Sequence, residues 1–270
     1  MQLQALLLST LSLLLALTTA SPIASPFNIG NLAPALRNYM TNVAVADALL
    51  RRIDPICNSL SNISMDYGAL PPPSPGLKLW HIGVGRGTQN YSCPVEKGET
   101  APPTALGAVA KLYNLTCATG YYGSDRVNDF TNTIALQDKN ANLAISMLQS
   151  GNHYFPDLTA TTPVFNLNMG NPNTNYGVVF AGKKANVTAP AGAGKSQDGS
   201  AAVPWLKLAA KDPLPAEYNV RVEDQRAGIR EIYRLNTAGG AGPKDCSGGL
   251  LGKSFTREYA AEYWFWHTTE

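Results

Sequence analysis

The sequence predicts an all-β fold, a β-sandwich or barrel-like antiparallel domain with an N-terminal helical extension. Three observations carry this. After Gly76 the apolar residues come in short runs broken by Gly, Pro and Asn, without alternating helical segments. The chain holds 24 Gly and 19 Pro in 270 residues, as many tight turns would require. Hydrophobic residues make up 44% and charged residues only 15%, which supports a sizeable core with little solvated helix surface.

Taken in order, residues 1–20 read as a signal peptide. Leu6 to Leu17 is a nearly unbroken apolar run, and Thr18-Thr19-Ala20 supplies small residues for cleavage after Ala20, with Ala24 the next choice. The n-region has no Lys or Arg, yet the run is shorter than the about 20 apolar residues of a membrane anchor. The expectation is therefore a secreted protein, extracellular or in the cell wall, with no membrane span. Residues 21–69 form the helical extension. Leu32, Leu36, Tyr39, Val43, Ala46, Leu50 and Ile53 recur at helical spacing between a capping Asn31 and a terminating Pro55. Residues 70–76, with Pro71-Pro72-Pro73-Ser74-Pro75-Gly76, are a stiff connector. Residues 77–270 form the β domain.

Within it the predicted strands are 77–82, 88–93, 108–116, 153–155, 164–167, 177–187, 203–208, 229–237 and 259–266. Residues 140–149 alone show a helical period there, through Leu143, Met147 and Leu148. Gly83-Val84-Gly85-Arg86-Gly87 is spaced G-x-G-x-G and is followed by a strand, so it fails the dinucleotide fingerprint and reads as a glycine-rich bend. Ala189 to Ser196 resembles a phosphate-binding loop loosely, but turn residues follow it, and it reads as a mobile surface loop.

Four cysteines in an exported chain predict two disulfides, with three possible pairings. Asn90-Tyr91-Ser92-Cys93 and Asn114-Leu115-Thr116-Cys117 repeat one pattern. If both are strands, each Asn points away from its Cys, hiding the sulfurs and exposing the glycan acceptors. On that parity the preferred pairs are Cys93–Cys117 and Cys57–Cys246. Asn62, Asn90, Asn114 and Asn186 all stand in glycosylation sequons.

No zinc spacing occurs, and nothing in the sequence brings His81, His153 and His267 together, so no metal and no cofactor are expected. The net charge of +2 gives no reason to expect nucleic acid as a partner. His153 lies near Asp157, which could orient its ring. The C-terminal Tyr259-Ala260-Ala261-Glu262-Tyr263-Trp264-Phe265-Trp266 is aromatic on both faces, which predicts a central strand covered on both sides. Glu262 then sits in aromatic surroundings, with Arg234 or Arg257 as partner. A carboxylate there could serve as a general acid, given a second group such as Asp157, Glu231 or His153 across a cleft.

Gly85 to Cys93, Gly107 to Tyr113, Val203 to Leu208, Tyr233-Arg234, Thr237 to Gly240 and the final aromatic run together resemble a secreted domain-of-unknown-function family. Its members occur mainly in filamentous fungi, with relatives in bacteria, and often carry an automatic label of malate dehydrogenase. The resemblance covers about residues 70–266 and implies no established activity. The sequence itself, with no Rossmann fingerprint and a leader for export, argues against a nicotinamide-dependent dehydrogenase.

The leading functional expectation is non-enzymatic binding of a carbohydrate or other cell-wall or surface ligand. Arg86, Gln89, His153, Asp157, Trp205, Arg234 and Glu262 are the candidate contacts. It requires Trp205 or Trp80 to be exposed beside Arg86 or Gln89. The alternative is an extracellular hydrolase using Glu262 with Asp157 or His153. A third reading, a surface protein with no small ligand, requires the lack of any pocket of about 300 Å³.

Overall fold

A computed structural model of the chain describes residues 60, 63–124, 149–156, 162–168, 176–211 and 228–268. The expected extension over residues 21–59, Cys57, Asn62, Asp157 and residues 140–148 lie outside the described residues. Residues Ala44–Glu270 form one compact unit.

Eight strands make up this unit: β1 (Leu77–Ser92), β2 (Thr104–Asn114), β3 (Gln149–Tyr154), β4 (Val164–Asn166), β5 (Val178–Val187), β6 (Trp205–Ala210), β7 (Ile229–Gly239) and β8 (Ser254–Thr268). Each pairs antiparallel with the next, and β1 also pairs with β8, so the sheet closes into a barrel in chain order. Closure leaves no sheet edge exposed. The all-β, barrel-like expectation thus holds, and no parallel strand pair occurs among the described residues.

Side chains alternate across the wall with period two. Inward residues from β2 and from β4 to β8, including Leu112, Phe165, Ala181, Leu208, Ile232, Tyr263 and Phe265, form one buried cluster. His153 stacks on Phe165 at 4.2 Å between ring centroids, and His81 lies 5.6 Å from Phe265. Side chains therefore fill the lumen, as is usual for a barrel this narrow.

The glycine triad does not divide two strands. Gly83, Gly85 and Gly87 lie within the single 16-residue β1. A Cβ on Gly85 would come 2.6 Å from the Tyr263 ring, and one on Gly87 would come 1.8 Å from the Val109 carbonyl oxygen. Glycine here makes room for the aromatic filling and for a close approach of β2, which a strand pattern written in apolar residues cannot announce.

The preferred cysteine pairing is also corrected: Cys93 bonds Cys246. Cys117 is likewise disulfide-bonded. Two facts defeat the parity argument. β2 ends at Asn114, and Cys117 belongs to helix α1 (Thr116–Tyr122) rather than to a strand. Moreover, antiparallel register sets Gly83 opposite Asn114 and Ser92 opposite Thr104, so Cys93 and Cys117 sit at opposite ends of the strand pair. Nine residues of strand separate those ends by about 30 Å. At the Cys93 end, Ser92 pairs with Ser254, and the backbone of Cys93 bonds Lys253 and Gly252, which brings the 240–253 loop within reach.

A second apolar cluster covers the outer face of β6 to β8. Trp205, Tyr233, Leu235 and Trp264 pack there with Met65 and Leu70, which precede the barrel. The proline run follows onto the same wall. The Tyr233 hydroxyl donates to the Pro71 carbonyl at 2.8 Å and Lys207 Nζ to the Pro72 carbonyl at 2.7 Å. The Ser74 hydroxyl donates to Glu231 at 2.6 Å. Lys207 and Glu231, both buried, pair at 3.0 Å beneath it. The segment is clasped, and the stiffness of polyproline lowers the entropy cost of holding it there.

Candidate functional site

Another part of the outer wall is uncovered among the described residues. Over β1, β2 and β3 the outward side chains line a groove of about 630 Å³. Arg86 and Thr88 come from β1, Val109, Lys111 and Tyr113 from β2, Asn152 and Tyr154 from β3, and Glu258 from β8. The register explains the convergence. Arg86 is directly opposite Lys111, Lys111 opposite Asn152, and Asn152 opposite Asn166. That is a polar row running across four strands at about 4.8 Å per step. Burial raises the pKa of the Tyr113 hydroxyl, and the charge of Arg86 offsets part of this. Two cations directly opposite on one face are locally unfavourable. Glu258 at the groove edge supplies only one acid.

Arg86 is thus the one expected contact that lines the groove from its outer face. Lys111, Tyr113, Asn152 and Tyr154 were not anticipated, although the β2 pattern contains the signal. Val109, Lys111 and Tyr113 alternate there with the inward Ala108, Ala110 and Leu112.

The other expected residues are dispersed. His153 points inward. Its ring donates to the Val164 carbonyl at 3.0 Å through Nδ1, and burial lowers its pKa to about 4. His81 is fully buried between Ser150 at 3.1 Å and Thr116 at 3.0 Å, and burial lowers its pKa to about 3. Glu262 lies in a strand covered on both sides, as the aromatic run predicts. It faces outward and is fully buried, and its Oε2 accepts from Asn236 Nδ2 and Trp264 Nε1, each at 3.0 Å. The expected arginine partners are corrected. Arg234 donates to the Pro204 carbonyl at 2.8 Å, and Arg257 pairs with Asp198 at 2.8 Å. Strand parity is the reason: Arg234 follows the inward Ile232 and the outward Tyr233, and Arg257 lies two residues before the inward Tyr259, so both share the inner face. Glu262 and His153 therefore lie on opposite faces of the wall, and the structure does not bring them together.

Trp205 is buried under the covering segment. Trp80 is 37% exposed, but it stands beside His267 and Tyr176 at the far end of β1, away from Arg86. No group of three metal-capable side chains occurs among the described residues.

Of the sequons, Asn186 is exposed on β5. Asn90 accepts from the Thr88 hydroxyl at 3.0 Å. Asn114 is half-buried, donating to Tyr176 at 3.3 Å and accepting the Thr116 N–H at 3.0 Å, so it does not project freely as the parity argument expects. Ser196, the last residue of the loop read as mobile, is buried. Asp198 accepts from the Ser196 hydroxyl, the Ser200 N–H and Arg257. Partial burial opposes ionisation of its carboxyl, but these bonds prevail and hold it well below the usual carboxylate range.

Fold and groove together define a closed antiparallel barrel with a filled lumen and a groove on its outer wall. Residues 73–267 match the model of the family described as "Protein of unknown function (DUF3455)", and the chain belongs to that family. No curated protein and no solved structure matches the chain.

Proposed function

We propose that this chain is a secreted, non-enzymatic binding protein that holds a carbohydrate, soluble or in the cell wall, in the outer groove over β1 to β3. The observation that carries the reading is the row Arg86–Lys111–Asn152 flanked by Tyr113 and Tyr154. Charged and amide side chains beside aromatic rings are the equipment for sugar hydroxyls and sugar faces. Lys111, exposed on β2, adds a cation that a sugar carrying negative charge would meet. The groove also exceeds the about 300 Å³ below which a ligand-free surface role would be preferred.

The test is a glycan array holding neutral and acidic polysaccharides, probed with the secreted protein and with Lys111→Gln and Tyr154→Ala. The expected result is retention of an acidic glycan, weakened about tenfold in each variant. An array with no bound glycan, or equal binding by all three proteins, sinks the proposal. Unreduced peptide mapping of the same material tests export and glycosylation, with Asn186 the site expected to be occupied.

A further inference from the structure

A different end of the molecule carries unspent hydrogen-bonding capacity. Three buried donors lack partners where the lumen meets the 188–204 and 240–253 loops: Gln89 Nε2, Arg234 Nε and Arg257 Nε. Buried donors are rarely left unpaired, because each forfeits its hydration without replacement. Gln89 is only 8% exposed.

The three belong to one place. Gln89 and Arg257 are directly opposite in the β1–β8 register. A Cβ built on Gly240 would touch Tyr259, Gln89 and Val203 together, and the Tyr91 hydroxyl donates to the Gly240 carbonyl at 2.7 Å. Arg234 donates to the carbonyl of Pro204, the residue after the Val203 whose side chain flanks that same Gly240 position. Tyr259 and Tyr263 add hydroxyls 3.0 Å apart on the lumen side.

The charges do not balance. Arg257 has Asp198. Arg234 has the Pro204 carbonyl and the Tyr263 hydroxyl, and no carboxylate among the described residues. Both arginines are half-buried, so the place is open to solvent on one side.

We propose that Gln89, Arg234 and Arg257 form a receptor for a small oxyanion at this mouth of the barrel, separate from the outer groove. An anion with several acceptor oxygens would take up the orphan N–H groups and supply the charge that Arg234 lacks. The class is carboxylate, phosphate or sulfate, free or as the charged end of a larger molecule.

The full secreted protein is titrated with inorganic phosphate, sulfate and acetate against chloride at matched ionic strength, by calorimetry and thermal unfolding. The expected result is saturable binding of at least one oxyanion with a rise in Tm. Gln89→Leu and Arg234→Gln should each weaken it tenfold or more, while Lys184→Gln on the exposed part of β5 should bind as the native chain does. Absence of saturable binding, or equal binding by Gln89→Leu and Arg234→Gln, overturns the proposal. Should Arg234→Gln fail to fold, the Arg234 Nε–Hε resonance decides: a phosphate-dependent shift supports the site, and an unmoved resonance rejects it.

Discussion

The outer wall of the barrel has two regions built from the same alternation and treated in opposite ways. Over β6 to β8 the segment 63–74, which precedes the barrel, covers the wall and packs over Trp205, Tyr233, Trp264 and the Lys207–Glu231 pair. Over β1 to β3 nothing described covers it, and Arg86, Lys111 and Tyr154 stay accessible in a groove. In the covered region every charge is answered by specific hydrogen bonds. In the open region two cations face each other. The contrast teaches how one alternation serves two ends: the buried charges here hold a segment down, and the exposed ones line a groove.

The largest effect should come from breaking the covered side. Glu231→Ala leaves Lys207 buried without its counter-charge and removes the acceptor for Ser74, at a cost of about 3–5 kcal/mol in urea unfolding. Adding Lys207→Met should recover most of that loss, because the uncompensated charge goes with it. A small effect of Glu231→Ala would mean that the clasp does not hold the segment.

Acid titration separates the lumen from both outer regions. His153 and His81 take up protons near 6.5 when unfolded but only near about 4 and about 3 when folded, chiefly because burial disfavours the charged ring. Between those limits the unfolded chain binds more protons. Stability is therefore complete above pH 6.5 and falls as pH drops towards 4, by about 1.4 kcal/mol per pH unit for each histidine. Asp198, held low, contributes stability that is present above the ordinary carboxylate value of 3.8 and is lost only below it. Unfolding curves from pH 7 to 3 should show the histidine slope first, and His153→Phe should remove about half of it. A flat profile down to pH 4 would exclude the buried neutral rings as its source.

The smallest effect belongs to the open side. Lys111→Ala should change stability by no more than about 0.5 kcal/mol, with any change a gain, because it relieves repulsion from Arg86. A clear loss in chemical unfolding would make Lys111 part of the scaffold and weaken the groove as a binding site.

Much of this was legible locally. The strand positions of β2 and of β4 to β8, the covered character of the Glu262 strand and the failure of the glycine run as a nucleotide fingerprint follow from alternation and turn chemistry, which act over a few residues. Partnership was not legible. Cys93 is buried, as expected, but its partner depended on which end of an antiparallel pair each cysteine occupies. The role of Gly85 and Gly87 depended on Tyr263 and Val109 arriving opposite them. Arg234 and Glu262 look like neighbours in a sheet until the β7–β8 register, which sets Arg234 opposite Tyr263 and Leu235 opposite Glu262, puts their side chains on opposite faces of one wall.

The chain alone thus determined that it pleats, where it turns and which residues alternate, since these are properties of short stretches of backbone. Closure of β1 on β8, the Cys93–Cys246 bridge, the clasped proline segment and the meeting of Arg86, Lys111 and Asn152 came from contacts between residues far apart in sequence. Their energy resides in packing and register, and no local pattern records which distant surface will arrive.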